Sequence, residues 1–170
     1  MHLPSGSWAN FGGNDAVTIG GDAGNTKNED GRTGKWDSVL GDFDGRRAVR
    51  VVNPCSVDDN LDAGNCKWTD NYIDGLKRRR WYSSSEAMGD GTVVIIGGMT
   101  TGGYINRKVT VTDPIFQNGA SEPTYEYYPA RSTDPEIFQF LVDAGGLNTY
   151  AHTSLMPDGR FFVQANLTTG

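Results

Sequence analysis

Few side chains in this sequence belong to the types that bind metals or act as nucleophiles. It holds two histidines, two cysteines and seven tyrosines. A zinc site built on Cys55 and Cys66 would need two further ligands, and His2 and His152 lie far from both in sequence. A serine hydrolase is not supported either, because no Gly-x-Ser-x-Gly elbow occurs and no histidine neighbours Ser83–Ser85.

The two cysteines bracket a short polar, acidic loop. Two cysteines in this arrangement favour a local disulfide and therefore an oxidising compartment. We expect Cys55 and Cys66 to be paired.

Three other side chains stand at matching places before two Asp-Gly turns. Tyr82 follows Trp81 shortly before the first of these turns, and Tyr150 and His152 precede the second. From the residues alone, the simpler interpretation is that the tyrosines pack within strands and that His152 is hydrogen-bonded at a strand start. The alternatives are a catalytic role for Tyr82 and contact of Tyr150 or His152 with a substrate.

The composition predicts an all-β protein. The chain has 23 glycines and 7 prolines, and only 36% of its residues are hydrophobic, while 11% are aromatic. Glycines beside aromatic and β-branched residues are typical of short strands joined by tight turns.

Charge and hydropathy argue against two classes of partner. The 15 basic and 21 acidic residues give a net charge of -6, whereas a nucleic-acid binder normally shows a basic surplus. Lys77–Arg80 is the one dense basic run, which we interpret as a solvated entry to a strand. No apolar run approaches the roughly 20 residues that cross a membrane.

One pattern recurs three times. A turn, a short strand and a residue pair, Gly-Gly in the first two copies and Ala-Asn in the third, occupy 4–13, 89–98 and 157–166. This recurrence is the mark of a kelch propeller. The copies begin 85 and then 68 residues apart, longer than the roughly 50 residues of a kelch repeat. We therefore expect insertions at 22–44 and 53–77.

Further strands are predicted between the repeats. Residues 46–52, 81–88 and 123–129 alternate or carry strand-forming residues, and 134–142 could be a strand or a helical turn. We predict a partial kelch-type β-propeller with about two complete blades and parts of two more. Residues 1–170 would be one segment of a single propeller domain, incomplete at both ends.

Arg80-Trp81-Tyr82-Ser83-Ser84-Ser85 and the turn and glycine pair that follow it resemble the radical-tyrosine blade of glyoxal oxidases and galactose oxidase. The similarity continues in the segments Gly102–Asn106, Pro123–Pro129, Leu3–Asn14 and Met156–Asn166. It therefore spans nearly the whole chain, and Arg80-Trp81-Tyr82 is its most specific part.

The resemblance implies a copper-radical oxidase. In this family the tyrosine at the position of Tyr82 ligates copper and is cross-linked to a cysteine, so Tyr82 would be both a catalytic residue and a metal ligand. The radical supplies the second of the two electrons that oxidation requires. The cross-linking cysteine would lie before Met1, and the remaining copper ligands would lie after Gly170. We therefore expect no copper in the chain alone and no activity.

The same resemblance implies the substrate and the compartment. A tryptophan of galactose oxidase has no counterpart near Thr100, which favours small aldehydes over galactose. The complete protein would oxidise an aldehyde or alcohol with O2 to give H2O2, and Tyr150 and His152 would contact the substrate. It would be extracellular, with its signal peptide outside this chain. Its partners would be the remaining propeller blades, and it would bind neither nucleic acid nor a membrane.

A non-catalytic kelch module is the alternative. Its loops would bind a protein or a glycan, and Tyr82 would only pack. Exposed aromatic side chains on one rim would be needed for a glycan, for which Tyr104, Tyr125 and Tyr127 are the candidates.

Overall fold

The structure is a computed structural model that describes residues 1–12, 36–37, 42–43, 45–56, 68–70, 75–100, 121–144 and 149–165. For 36–37, 42–43 and 69–70 the description covers the backbone alone.

The described part of the chain is nearly all β-structure, as the composition predicts. In chain order its elements are β1 Trp8–Phe11, β2 Trp36–Asp37, β3 Asp42–Phe43, β4 Val49–Val52, β5 Thr69–Asp70, β6 Ser84–Ala87, β7 Val93–Ile96, β8 Thr124–Tyr128, β9 Glu136–Ile137, α1 Gln139–Asp143, β10 His152–Leu155 and β11 Phe161–Gln164. The ambiguous segment 134–142 contains both predicted alternatives, because a two-residue strand is followed directly by a helix of five residues. No helix in the described ranges has the length and apolar character to cross a membrane.

The central sheet is an antiparallel meander in the order β6-β7-β8-β9. All four residues of β7 are buried, so the short strand predicted after the second turn is covered on both faces. Val93 and Ile95 belong to one hydrophobic cluster, and Val94 and Ile96 belong to another. The alternation of side chains along a strand therefore gives the central sheet a core on each face.

An open sheet covers each face of the central one. On the first face, the sheet β1-β4-β5 contributes Val49 to the core, together with Leu76. On the second face, α1 contributes Leu141, and the hairpin β10-β11 contributes Phe161. Three layers of antiparallel strands thus stack through two separate cores.

The three sequence repeats have the same turn geometry. Gly6, Gly91 and Gly159 adopt φ of +87°, +87° and +83°, and each amide donates to the carbonyl three residues earlier at 2.9, 3.0 and 2.9 Å. The left-handed conformation is open to glycine at little cost, which explains the Ser-Gly and Asp-Gly pairs. The predicted internal repeat is confirmed at these turns.

Candidate functional site

Tyr82 has an unusual backbone. Its φ of +58° lies in the left-handed region, and Tyr150, 68 residues later, has φ of +50°. A tyrosine in this region costs of the order of 1–3 kcal/mol, and it persists where the surroundings hold it. Such strained residues concentrate at functional sites. The two tyrosines occupy equivalent positions before the second and third repeated turns.

Three aromatic rings form a stack around Tyr82. Its ring centroid lies 3.5 Å from that of Trp81, with an interplanar angle of 17°, and 4.3 Å from that of Tyr150, with an angle of 27°. Two rings so nearly parallel to a third at these distances must lie on its opposite faces. Tyr82 still remains 41% exposed. Since both faces are covered, its exposure lies at the ring edge.

Tyr150 also contacts the backbone of Tyr82. The Tyr150 amide donates to the Tyr82 carbonyl at 3.0 Å, and the Ser84 hydroxyl donates to the Ala151 carbonyl at 2.5 Å. These contacts join the starts of β6 and β10, which belong to different repeats. Partial burial, and then a hydrogen bond with the Tyr82 side chain, raises the pKa of Tyr150.

The residues on either side of Tyr82, Trp81 and Ser83, lie against the glycine pair that follows β7. Trp81 and Met99 exchange two backbone hydrogen bonds, each of 2.8 Å. A Cβ added at Gly98 would lie 2.9 Å from the Trp81 carbonyl oxygen and 3.1 Å from the Ser83 amide nitrogen. A side chain at Gly98 would therefore clash with the neighbouring backbone segment, and glycine allows the close approach.

The interpretation of the basic run Lys77–Arg80 as solvated is wrong for Arg80. The residue is fully buried, and its Nε donates to Glu126 Oε1 at 2.7 Å. Nη1 donates to the carbonyls of Gly97 and Thr124 at 2.8 and 2.9 Å, and Nη2 donates to Thr124 Oγ1 at 2.8 Å. A guanidinium can be buried when partners accept from its donors, and here four of its five N–H groups have an acceptor.

A second buried carboxyl lies at the same end of β8. Glu122 is 1% exposed and accepts a 2.6 Å hydrogen bond from the Thr124 hydroxyl. Burial raises the pKa of Glu122, against the opposing effects of Thr124 and Arg80. The Thr124 hydroxyl thus links Glu122 to the guanidinium of Arg80, two residues before Tyr82.

His152 is not one of the three stacked rings. It is the exposed first residue of β10 and pairs with Gln164 across the hairpin. Tyr150, the other candidate for substrate contact, is the one that touches Tyr82. Both residues precede the same turn in sequence, so the sequence alone did not show which of them contacts Tyr82.

The described residues do not complete a copper site. No group of three or more histidines, cysteines, aspartates or glutamates in the described ranges could hold a metal ion. The phenol oxygen of Tyr82 is a suitable copper ligand, but one ligand alone does not form a copper site. Cys66 and Tyr104 lie outside the described residues, so the pairing of Cys55 with Cys66 stays a prediction.

Comparison with known proteins bears on the family. The family model described as the glyoxal oxidase N-terminus matches residues 28–110, a range that includes Arg80-Trp81-Tyr82. The resemblance to the glyoxal oxidase family is confirmed. No solved structure gives a significant match.

Two relatives among curated proteins extend the similarity. The chain is 28% identical to the aldehyde oxidase GLOX of Vitis pseudoreticulata over 74% of its own length. It is 29% identical to the aldehyde oxidase GLOX1 of Arabidopsis thaliana over 72% of its length. It spans only 20% and 16% of these two relatives. These two aldehyde oxidases are therefore several times longer than this chain.

Proposed function

We propose that this chain is a segment of a secreted copper-radical oxidase, in which Tyr82 ligates the copper and carries the radical. The longer protein would oxidise small aldehydes or alcohols, pass two electrons to O2 and release H2O2. The aldehyde oxidase names of the relatives support the substrate class. The segment would form part of a kelch propeller that closes with further blades.

The observation that carries the proposal is the position of Tyr82. Its strained backbone presents a ring that is covered on both faces and open at its edge. A copper ion together with a modified tyrosine supplies two one-electron acceptors when both are present. The contribution of this chain would be to fix the phenol and to shield the ring faces from solvent and side reactions.

Tyr150 and His152 would line the approach to that phenol. Tyr150 is 61% exposed although it stacks on Tyr82, so one face of its ring is available to a small substrate. We propose the same role for His152 because it lies exposed two residues later, at the start of β10.

The first test is to sequence the source DNA on both sides of this reading frame. A cysteine codon shortly upstream of Leu3, with codons for a Tyr-His pair and a further histidine downstream, supports the oxidase. If Met1 is a true start and a stop codon follows Gly170, no copper site can form and the proposal fails.

The second test uses the protein expressed from the extended frame with copper supplied. Tyr82→Phe should abolish peroxide release from a small aldehyde, whereas Tyr127→Phe should retain it. The control makes the same chemical change on β8, away from the ring stack. An active Tyr82→Phe protein would contradict the role of Tyr82.

The non-catalytic glycan-binding alternative receives less support from the described aromatic residues. The Tyr125 hydroxyl donates to Glu136 Oε2 at 2.5 Å, and the Arg131 guanidinium lies 4.0 Å from the centre of the Tyr127 ring. The Tyr125 and Tyr127 rings thus already contact charged side chains, one on β9 and one in the connection between β8 and β9.

A further inference from the structure

We propose that Arg80 is a positioning residue, whose buried ion pair with Glu126 holds the backbone of 80–83 so that the Tyr82 ring enters the aromatic stack. The functional meaning of this role rests on the proposed function of Tyr82. The structural role itself requires neither copper nor catalysis.

The first step is the buried network around the guanidinium. Arg80 binds β8 through Glu126 and Thr124, and it binds the end of β7 through the Gly97 carbonyl. Glu126 Oε2 also accepts a hydrogen bond of 2.7 Å from the Lys77 amide. One ion pair therefore joins the segment before Tyr82 to two strands of the central sheet. A buried, hydrogen-bonded pair of this kind has a fixed geometry because its donors cannot turn to water.

The second step runs along the backbone from Arg80 to Tyr82. The Arg80 amide donates to the Arg46 carbonyl at 2.8 Å, and the next residue, Trp81, pairs with Met99. Gly98 leaves room for this segment to pass close to β7. The two residues before Tyr82 are therefore fixed by contacts in which the Tyr82 side chain takes no part.

The third step is that the two outer members of the stack belong to different segments of the chain. Trp81 belongs to the segment that Arg80 holds, whereas Tyr150 belongs to the third repeat, where the next residue, Ala151, is bonded to Ser84 of β6. A shift of the Arg80 segment would therefore strain the hydrogen bond from the Tyr150 amide to the Tyr82 carbonyl and change the overlap of the two rings. Lysine would not replace arginine here, because a single ammonium group lacks the planar fork that reaches Glu126, Gly97 and Thr124 together.

The experiment compares Arg80→Lys with Arg131→Lys in the chain labelled with ring-¹³C tyrosine, by NMR. Arg131 forms an ion pair with Asp90 at the surface. Arg131→Lys therefore makes the same arginine-to-lysine exchange at an ion pair outside the buried network and serves as the control. Tyr82→Phe assigns the Tyr82 signal. In the unsubstituted chain, that signal should be shifted upfield by the Trp81 and Tyr150 rings that cover the two faces of Tyr82.

We expect Arg80→Lys to lose most of the upfield shift of Tyr82 in the folded molecules, while Tyr125 keeps its position. Arg131→Lys should leave the Tyr82 signal unchanged. An Arg80→Lys chain that is less stable in urea but keeps the Tyr82 shift would overturn the proposal, since Arg80 would then only stabilise the fold. So would an unshifted Tyr82 signal in the unsubstituted chain.

If Arg80→Lys does not fold, Thr124→Val provides the same test with a smaller change. It removes the hydroxyl that accepts from Nη2 and leaves the ion pair with Glu126. A partial loss of the Tyr82 shift supports the proposal, and an unchanged shift contradicts it. These signals are recorded without copper, so a failure of the oxidase proposal alone, seen as absent peroxide release, would leave them intact.

Discussion

Replacing Gly12 with alanine tests whether the repeated glycines are needed for close backbone approach or only for their conformation. Gly12 has φ of +71°, and a Cβ there would lie 2.2 Å from the Arg80 carbonyl oxygen. Gly6 has φ of +87° and nothing within 4 Å of the added Cβ. Gly6→Ala therefore reports the conformational cost alone, and Gly12→Ala reports that cost together with the clash.

The magnitudes follow from the two geometries. A left-handed alanine costs about 1–2 kcal/mol, of which about 0.4–1 kcal/mol is offset because alanine restricts the unfolded chain. Gly6→Ala should thus lower the free energy of unfolding by about 1 kcal/mol. At Gly12 the contact lies far inside the 3.0 Å that real Cβ atoms keep, and the carbonyl is backbone that cannot rotate away. Overpacking adds about 1–3 kcal/mol, so Gly12→Ala should lose about 3 kcal/mol.

The assay is urea denaturation of both variants and the unsubstituted chain, followed by far-ultraviolet circular dichroism. The free energies of unfolding are comparable if the slope with urea is the same in all three. A loss for Gly12→Ala no larger than that for Gly6→Ala would refute the argument, because the close approach of Arg80 would then carry no energetic consequence.

Three other predictions follow from the same contacts. Glu126→Gln should lower the free energy of unfolding by about 3–5 kcal/mol, because it leaves the Arg80 charge buried and unpaired; a change within error in a urea titration would contradict this. The hydrogen bond to Glu136, followed by burial, raises the pKa of Tyr125 to about 12. Because this lies above the value near 10 of an unfolded tyrosine, the stability it contributes is complete below about pH 10 and is lost as the pH rises toward about 12. Glu136→Gln should bring this pKa back toward about 10 in a spectrophotometric titration, and an unchanged value would exclude Glu136 as the cause. Alkylation of the denatured, unreduced chain should leave Cys55 and Cys66 unmodified until a reductant is added, whereas modification without reductant would show that they are not paired.

The strands next to the repeated turns were predictable because their signals are local. An Asp-Gly or Ser-Gly pair supplies the left-handed residue that the turn needs, and the apolar run after it forms the strand. β1, β7 and β11 all follow such a turn, and the turns before them share their hydrogen bonds.

The segment that ends in α1 was only half predictable. Its residues permit a strand or a helical turn, and periodicity cannot decide between these over so few positions. The outcome depends on packing, because the two-residue β9 pairs with β8 and the short α1 buries Leu141 beneath the central sheet.

The candidate site shows the same division. The sequence by itself determined that Tyr82 and Tyr150 stand at equivalent places before two repeated turns. Only the tertiary structure brought their rings together, buried Arg80 and paired it with Glu126. The physical reason is that a turn is set by neighbouring residues, whereas stacking and charge burial join residues 46 or 68 positions apart. A basic run looks the same in sequence whether its last residue faces water or a carboxylate.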